Sequence, residues 1–208
     1  RTQAMFTDQH PLYFGPAVAT NGDIVTLGGS TGGLLRANAV DGQFAWETPF
    51  SNNGIRLTAP AIDGQLVYVY KPDDYLSGLY GHDLSTGQQS LFIEDAVGSD
   101  RWLTKDLNGS VVLSGTHSAY VIAKSVDPRG RHRLLRFDLH NPSLSWSQEG
   151  TYLNAPVTAK GVVYVARSDP FGVEARRESD GALLWAWSEP APMSALYEDA
   201  DAKREAPA

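Results

Sequence analysis

The feature of the sequence that most constrains its fold is an internal repeat. One pattern, a Pro or polar residue followed by a turn glycine and an apolar run, occurs four times. The copies are GPAVATNGDIVTLGG (15–29), APAIDGQLVYVY (59–70), TKDLNGSVVLSG (104–115) and APVTAKGVVYVAR (155–167). Each copy is typical of two short strands joined by a tight turn in which glycine supplies a positive φ. The turn glycines are Gly22, Gly64, Gly109 and Gly161. We expect the apolar runs IVTL, LVYVY, SVVL and VVYVA to be strands that are buried on both faces.

A second hairpin comes after each copy. The segments are LLRANAVDGQFAWET (34–48), LYGHDLSTGQQSLFI (79–93), LLRFDLHNPSLSWSQ (134–148) and VEARRESDGALLWAW (173–187), and they align without gaps. Their turn positions are Gly42, Gly87, Pro142 and Gly181. Four places later stand Trp46, Leu91, Trp146 and Trp185. The sequence therefore predicts an all-β protein, a β-propeller or partial propeller of four four-stranded antiparallel blades.

The repeat also predicts how the chain is divided. We expect blades at about 14–55, 56–98, 99–150 and 151–190. Residues 1–13 are interpreted as a strand or a remnant of a preceding blade, because they resemble the segment between the outer strand of one such unit and the entry Pro of the next. Residues 191–208, rich in Ala, Pro and charge, are expected to be a flexible tail.

The segments HDLSTGQQSL, NAVDGQFAW and ESDGALLW resemble the repeats of the pyrroloquinoline-quinone (PQQ) type β-propeller family, which carry an x-A-L-D-x-x-T-G-x-x-x-W pattern. In that family the Trp lies over the hairpin turn of a neighbouring blade. The resemblance therefore implies structural docking by Trp46, Trp146 and Trp185, with Leu91 as a departure that weakens one junction. It also implies that this chain holds about half of a ring, since such rings usually have seven or eight blades. Either the remaining blades lie on another chain, or the four units close by themselves.

The resemblance implies two function classes. The first is a non-catalytic scaffold for protein–protein interaction, without a cofactor, like exported members of the family; the second is part of a PQQ-dependent alcohol or sugar dehydrogenase that binds PQQ with calcium. The enzyme class needs calcium held by clustered oxygen ligands and, in many members, a vicinal disulfide. The chain has no cysteine and no acidic cluster with calcium-site spacing, which favours the scaffold. A ligand-sensing propeller remains a third alternative.

Charge and spacing exclude several other sites. A net charge of -7 disfavours binding to nucleic acid. No stretch is long and apolar enough for a membrane helix, and the N-terminus lacks the apolar core of a signal peptide. The histidines show no zinc-binding spacing and are interpreted as scattered surface or rim residues, so no metal site is predicted.

Two polar segments interrupt the repeat and are candidates for a partner-binding rim, since insertions in repeat folds lie on one face. They carry Asp73 and Asp74 in one loop, and Arg129, Arg131 and Arg133 in an expected extended hairpin. Half a propeller also exposes apolar faces, so we expect a protein partner or self-association to complete or cover it. By resemblance alone, the location is extracytoplasmic, in the periplasm or secreted.

Overall fold

The computed structural model describes residues 15–28, 33–50, 58–71, 76–95, 110–124, 132–153 and 155–189. The regular secondary structure of these residues consists of sixteen β-strands, which form four antiparallel sheets of four strands each. Within the same ranges, no helix has the length and apolar character that crossing a membrane requires. The predicted fold class, an all-β partial propeller of four-stranded blades, is confirmed.

Each sheet, or blade, contains four strands that are consecutive in the chain. Blade 1 contains β1 (Ala17–Val18), β2 (Ile24–Gly28), β3 (Gly33–Ala37) and β4 (Phe44–Thr48). Blade 2 contains β5 (Ala61–Asp63), β6 (Leu66–Lys71), β7 (Gly78–Asp83) and β8 (Gln89–Glu94). Blade 3 contains β9 (Val112–Ser114), β10 (Ser118–Lys124), β11 (His132–Asp138) and β12 (Ser143–Gly150). Blade 4 contains β13 (Val157–Ala159), β14 (Val162–Ser168), β15 (Phe171–Arg177) and β16 (Leu183–Ser188).

The blades stack face to face in chain order. Their first strands contact one another in the order β1, β5, β9, β13, and a separate apolar cluster fills each of the three interfaces. In β6, Val67 and Val69 pack towards blade 1, whereas Tyr68 and Tyr70 pack towards blade 3. Because side chains alternate between the faces of a strand, a blade with neighbours on both sides needs a continuous apolar run. The run LVYVY is therefore explained by burial on both faces.

The end blades have one covered face and one open face. In β2 of blade 1, Val25 and Leu27 are buried, but Ile24 is exposed. In β14 of blade 4, Val163 and Val165 are buried, while Tyr164 is only half-buried. The expectation of burial on both faces therefore fails for these two runs, because no described blade lies on their outer sides.

The sequence prediction for blade 3 is wrong in one respect. The repeat pattern makes SVVL the counterpart of LVYVY, with Gly109 at the preceding turn. In the structure Val112 belongs to the first strand, β9, and the counterpart is β10, which contains the buried run from Ala119 to Ile122. The turn between them includes His117, which has a φ of 54°. The sequence has two successive apolar runs, and either of them could be the second strand of the blade. The turn was not recognised because His117 stands where the other copies have glycine.

A row of close contacts explains three glycines that the repeat pattern does not single out. Gly33, Gly78 and Gly172 stand at or near the start of the third strand of blades 1, 2 and 4. A Cβ at these positions would lie 2.0, 2.2 and 2.0 Å from a carbonyl oxygen of the fourth strand. Because the obstacle is backbone, no side-chain movement can relieve the overlap. These glycines let the two outer strands approach at one end of the blade.

Several sequence predictions lie outside the described residues. They are the remnant strand at 1–13, the tail at 191–208, and the rim residues Asp73, Asp74, Arg129 and Arg131.

We predict that Gly78→Ala lowers the free energy of unfolding by about 1–3 kcal/mol, because the new methyl group overlaps the Ile93 carbonyl oxygen. Gly115→Ala is the control, since a Cβ there has nothing within 4 Å. Urea unfolding followed by far-UV circular dichroism measures both. Equal midpoints for the two variants would contradict the close approach.

Candidate functional site

The junction between blades 1 and 2 is built around Trp46. Its indole Nε1 donates a hydrogen bond of 2.9 Å to the carbonyl oxygen of Leu84 in blade 2. A Cβ on Gly87 would lie 2.7 Å from the indole ring, so the ring covers that glycine. The Thr48 hydroxyl donates to the Gly87 carbonyl at 2.7 Å. Trp46 and Thr48 of blade 1 therefore hold the hairpin turn of blade 2 through one aromatic face and two hydrogen bonds.

The same geometry recurs between blades 3 and 4. Trp146 Nε1 donates to the carbonyl oxygen of Glu178 at 3.0 Å, and a Cβ on Gly181 would lie 2.9 Å from the indole ring. Leu84 and Glu178 each stand three residues before their turn glycine. Gly87 and Gly181 have φ values of 73° and 72°, which glycine adopts without strain. Glycine is thus required at this turn both for its backbone conformation and for the space that the indole occupies.

An arginine accompanies each of these two tryptophans. Arg36 pairs with Trp46 across β3 and β4, and it donates to the same Leu84 carbonyl oxygen at 2.6 Å. Its guanidinium also forms an ion pair with Asp23 at 2.5 Å. The Ala39 backbone N–H and the Arg36 guanidinium lower the pKa of Asp23 below its usual value of 3.8. This arginine is absent from the predicted site residues, although it stands ten residues before the tryptophan in both copies.

In blade 3 the corresponding arginine is Arg136, which pairs with Trp146 and donates to the Ser118 hydroxyl at 2.7 Å. The facing carboxylate, Glu178, accepts hydrogen bonds from the hydroxyls of Ser114 and Thr116. Burial raises the pKa of Glu178, but the surrounding hydroxyl groups and the Arg136 charge together lower it by more, so the pKa lies below its usual 4.5. Buried charge at this junction is therefore matched by donors from the neighbouring blade.

Between blades 2 and 3 the position of the tryptophan is taken by Leu91, and that of the arginine by Gly81. Leu91 has no donor for the next turn. Like Leu139 and Leu144 of blade 3, it packs against the apolar cluster that contains Tyr68. This junction is apolar, unlike the two on either side of it.

The residues of these junctions occupy one cross-strand row in every blade. We call the face that carries this row the front face and the opposite one the back face. The rows are Ala17, Val25, Arg36 and Trp46 in blade 1, Ala61, Tyr68, Gly81 and Leu91 in blade 2, Val112, Tyr120, Arg136 and Trp146 in blade 3, and Val157, Tyr164, Ala175 and Trp185 in blade 4. Each front face packs on the back face of the next blade.

The front face of blade 4 is open. Trp185 is 49% exposed and Val157 64% exposed, and Trp187 on the same face is 53% exposed. The Trp185 ring packs against Tyr164 of its own blade, with ring centroids 6.1 Å apart. Large apolar side chains that are exposed together on a strand are typical of a protein-binding surface. We therefore take this face as the candidate functional site.

The opposite end of the stack is open as well. On the back face of blade 1, Val18, Ile24 and Phe44 are exposed. The turn glycine Gly42, with a φ of 67°, has no atom within 4 Å of the position of a Cβ. Gly42 is thus the counterpart of Gly87 and Gly181, but no ring covers it.

Buried polar residues elsewhere are engaged in local contacts. In blade 4, Glu174 forms ion pairs with Arg167 at 3.1 Å and Arg176 at 2.7 Å. His82, expected on the surface or the rim, is instead buried against Phe50, and its Nδ1 lies 3.1 Å from the Gly87 carbonyl oxygen. Desolvation lowers the pKa of His82, so the neutral ring is favoured. The prediction of a surface position failed because a blade core accepts a neutral imidazole in place of an aromatic ring.

These residues do not fit a calcium–quinone site. Calcium takes six to eight oxygen ligands, and the described ranges contain no group of three or more His, Asp or Glu residues arranged to hold a metal ion. The buried carboxylates Asp23 and Glu174 face arginines instead. Of the predicted rim residues, Arg133 lies on β11 and pairs with Glu149 of β12 at 3.1 Å.

The architecture is that of a partial β-propeller, the predicted fold, and it is similar to proteins built from PQQ-type repeats. Residues 4–90 match the family model described as "Outer membrane protein assembly factor BamB". No curated protein sequence matches the chain.

Solved structures share the fold at low sequence identity. BamB from Moraxella catarrhalis aligns with a TM-score of 0.61 and 15% identity, over 84% of this chain and 51% of that one. The quinohemoprotein alcohol dehydrogenase ADHIIG from Pseudomonas putida HK5 aligns with a TM-score of 0.60 and 11% identity, over 83% and 33% of the two chains. A europium-containing methanol dehydrogenase aligns with a TM-score of 0.58 and 10% identity, over 84% and 41%. This chain therefore spans about half, or less, of the length of each of these proteins.

We predict that Trp146→Ala lowers the free energy of unfolding by about 3–5 kcal/mol, because it empties the space above Gly181 and removes the bond to the Glu178 carbonyl. Trp146→Phe, which keeps a ring but loses the donor, should cost about 1 kcal/mol. The matched control is Trp185→Ala, which removes a half-exposed indole and should cost about 1 kcal/mol or less in dilute solution. Urea unfolding monitored by circular dichroism tests this; equal losses for the two alanine variants would refute a docking role for Trp146.

The lowered pKa of Asp23 predicts a pH dependence. The ionised carboxylate stabilises the fold fully above its unfolded pKa near 3.8, and this stabilisation is lost as the pH falls through the lower folded value. Asp23→Asn should therefore be less stable than the parent at neutral pH, and the gap should close in strong acid. Urea midpoints measured between about pH 7 and pH 2.5 give the result. Asp41→Asn, at an exposed turn, is the control, and a gap that is constant over this range would contradict the assignment.

Proposed function

We propose that this chain is a non-catalytic propeller scaffold that associates with other proteins through its open blade faces and its rim. The observation that carries the proposal is the exposed front face of blade 4, with Val157, Trp185 and Trp187 on one side of one sheet. Burial of an apolar area of this kind is the main favourable term in protein association. The family match to an outer membrane protein assembly factor supports the same class of function.

The polar residues support a structural role. Several buried carboxylates of the described residues make contacts within or between blades: Asp23 with Arg36, Glu174 with Arg167 and Arg176, and Glu178 with the Ser114 and Thr116 hydroxyls. A carboxylate that is held by such fixed partners is poorly placed to act as a general base. The second candidate, part of a PQQ-dependent dehydrogenase, is favoured by the shared fold with the quinohemoprotein alcohol dehydrogenase. We further propose an extracytoplasmic location, in the periplasm or at a membrane surface, from the family description alone.

The enzyme and scaffold proposals differ in a direct assay. The purified chain is mixed with PQQ and Ca²⁺, and reduction of an artificial electron acceptor is followed with alcohols and sugars as substrates. We expect no turnover above that of PQQ and Ca²⁺ alone. Turnover that scales with the concentration of the chain would overturn the scaffold proposal.

A second experiment tests the candidate surface. A photo-crosslinking amino acid replaces Trp187 on the front face of blade 4 or, as a control, Ser147, which is also exposed but lies on β12 of the internal blade 3. In cells that produce the chain, we expect discrete protein adducts from position 187 and none from position 147. Adducts from neither position, or equally from both, would contradict the open face as a protein-binding surface.

A further inference from the structure

The front face of blade 4 is chemically the same face that blades 1 to 3 bury. The second residue of the row is Val25, Tyr68 and Tyr120 in these blades, and each is at most 5% exposed. Its counterpart in blade 4, Tyr164, is only half-buried. The last residue of the row, Trp185, matches Trp46 and Trp146 in type and in position. The face therefore has the composition of a blade junction without a described blade upon it.

The complementary half of a junction is present at the other end of the stack. Trp46 and Trp146 each use a turn glycine and the carbonyl three residues before it. In blade 1 these elements are Gly42 and the Ala39 carbonyl, and both residues are exposed. The back face beside them exposes Val18, Ile24 and Phe44.

Blade 1 differs from the other blades at the tip of this turn. Two residues before the turn position the other blades have Ser85, His140 and Ser179, which are polar, whereas blade 1 has Val40. Val40 is 98% exposed. A fully exposed valine at a hairpin tip adds apolar area at the point where a second surface would be seated.

We propose that the front face of blade 4 binds the back face of blade 1 of a second copy of this chain. The Trp185 indole covers Gly42 of the second copy and donates to its Ala39 carbonyl. This inference rests on the proposed function, because it names the partner of the same open face.

The second copy is favoured as the occupant because both halves of the missing junction are on one chain. A contact between two different surfaces of identical chains closes when the rotation between the copies brings the remaining two halves together. Two copies supply eight blades, which is within the range of closed propellers. Ala175 replaces the arginine of the other Trp-bearing rows, so this junction needs no buried ion pair.

The mass of the full chain in solution is the first test. Sedimentation equilibrium should give two copies of the 22.5 kDa chain, dissociating on dilution. Trp185→Glu removes the ring, and Gly42→Asn adds a Cβ at a positive φ that Asn tolerates. Each variant should weaken the dimer by about 100-fold, as expected for loss of a central anchor. Leu76→Glu, at an exposed site away from both faces, should remain dimeric.

Mixing the two variants gives a sharper test. The Gly42→Asn chain retains Trp185, and the Trp185→Glu chain retains Gly42, so one junction of the mixed pair is intact. We expect the mixture to form a heterodimer under conditions where each variant alone is monomeric. Circular dichroism checks that each variant is folded.

Three results would overturn the inference. They are a folded wild-type chain that is monomeric at all accessible concentrations, a dimer that is insensitive to both substitutions, and a mixture that associates no better than its components. If the chain is monomeric and position 187 crosslinks to a different protein, the partner is not a second copy. The scaffold proposal would still hold in that case. Turnover with PQQ overturns the scaffold proposal and does not affect the mass measurement.

Discussion

The fold depends on the contact between a tryptophan indole and the glycine in a hairpin turn of the next blade. Trp46 and Trp146 each lie on the turn glycine of the following blade and bond to a carbonyl three residues before it. A turn carbonyl buried under a neighbouring sheet needs a donor, and the indole provides one together with a large apolar surface. At the junctions between blades 1 and 2 and between blades 3 and 4, the spacing and the direction of stacking depend on this contact.

The junctions alternate in chemistry. Those from blade 1 to 2 and from blade 3 to 4 combine Trp with Arg and a buried carboxylate, whereas that from blade 2 to 3 relies on Leu91, Tyr70 and Phe137 in an apolar cluster. Polar junctions fix orientation, because a misplaced arginine would be left desolvated without a partner. An apolar junction tolerates small shifts. The described chain is therefore two orientationally fixed pairs of blades joined by an apolar interface.

Much of the fold was predictable, because a turn glycine followed by a continuous apolar run occurs four times along the chain. The strands of blade 3 were assigned incorrectly because His117 takes a left-handed conformation that the sequence does not reveal. Arg36 and Arg136 each stand ten residues before a tryptophan, and this spacing is visible in the sequence. Their contacts could not be predicted, because these depend on the register between neighbouring strands. The burial of His82 and the engagement of Glu178 by Ser114 depend on contacts between blades, which a single repeat does not encode.

The junction has a polarity, since its tryptophan is always on the earlier blade and its glycine on the later one. A junction of this kind between two copies would join the front face of one to the back face of the other. Such a directional contact either closes on itself or continues as a filament, and the wedge angle of each blade decides between these outcomes. At Gly33, Gly78 and Gly172 the two outer strands approach more closely than a side chain would allow. In the proposed association, the geometry of the blades, more than the strength of one contact, would therefore set the number of copies.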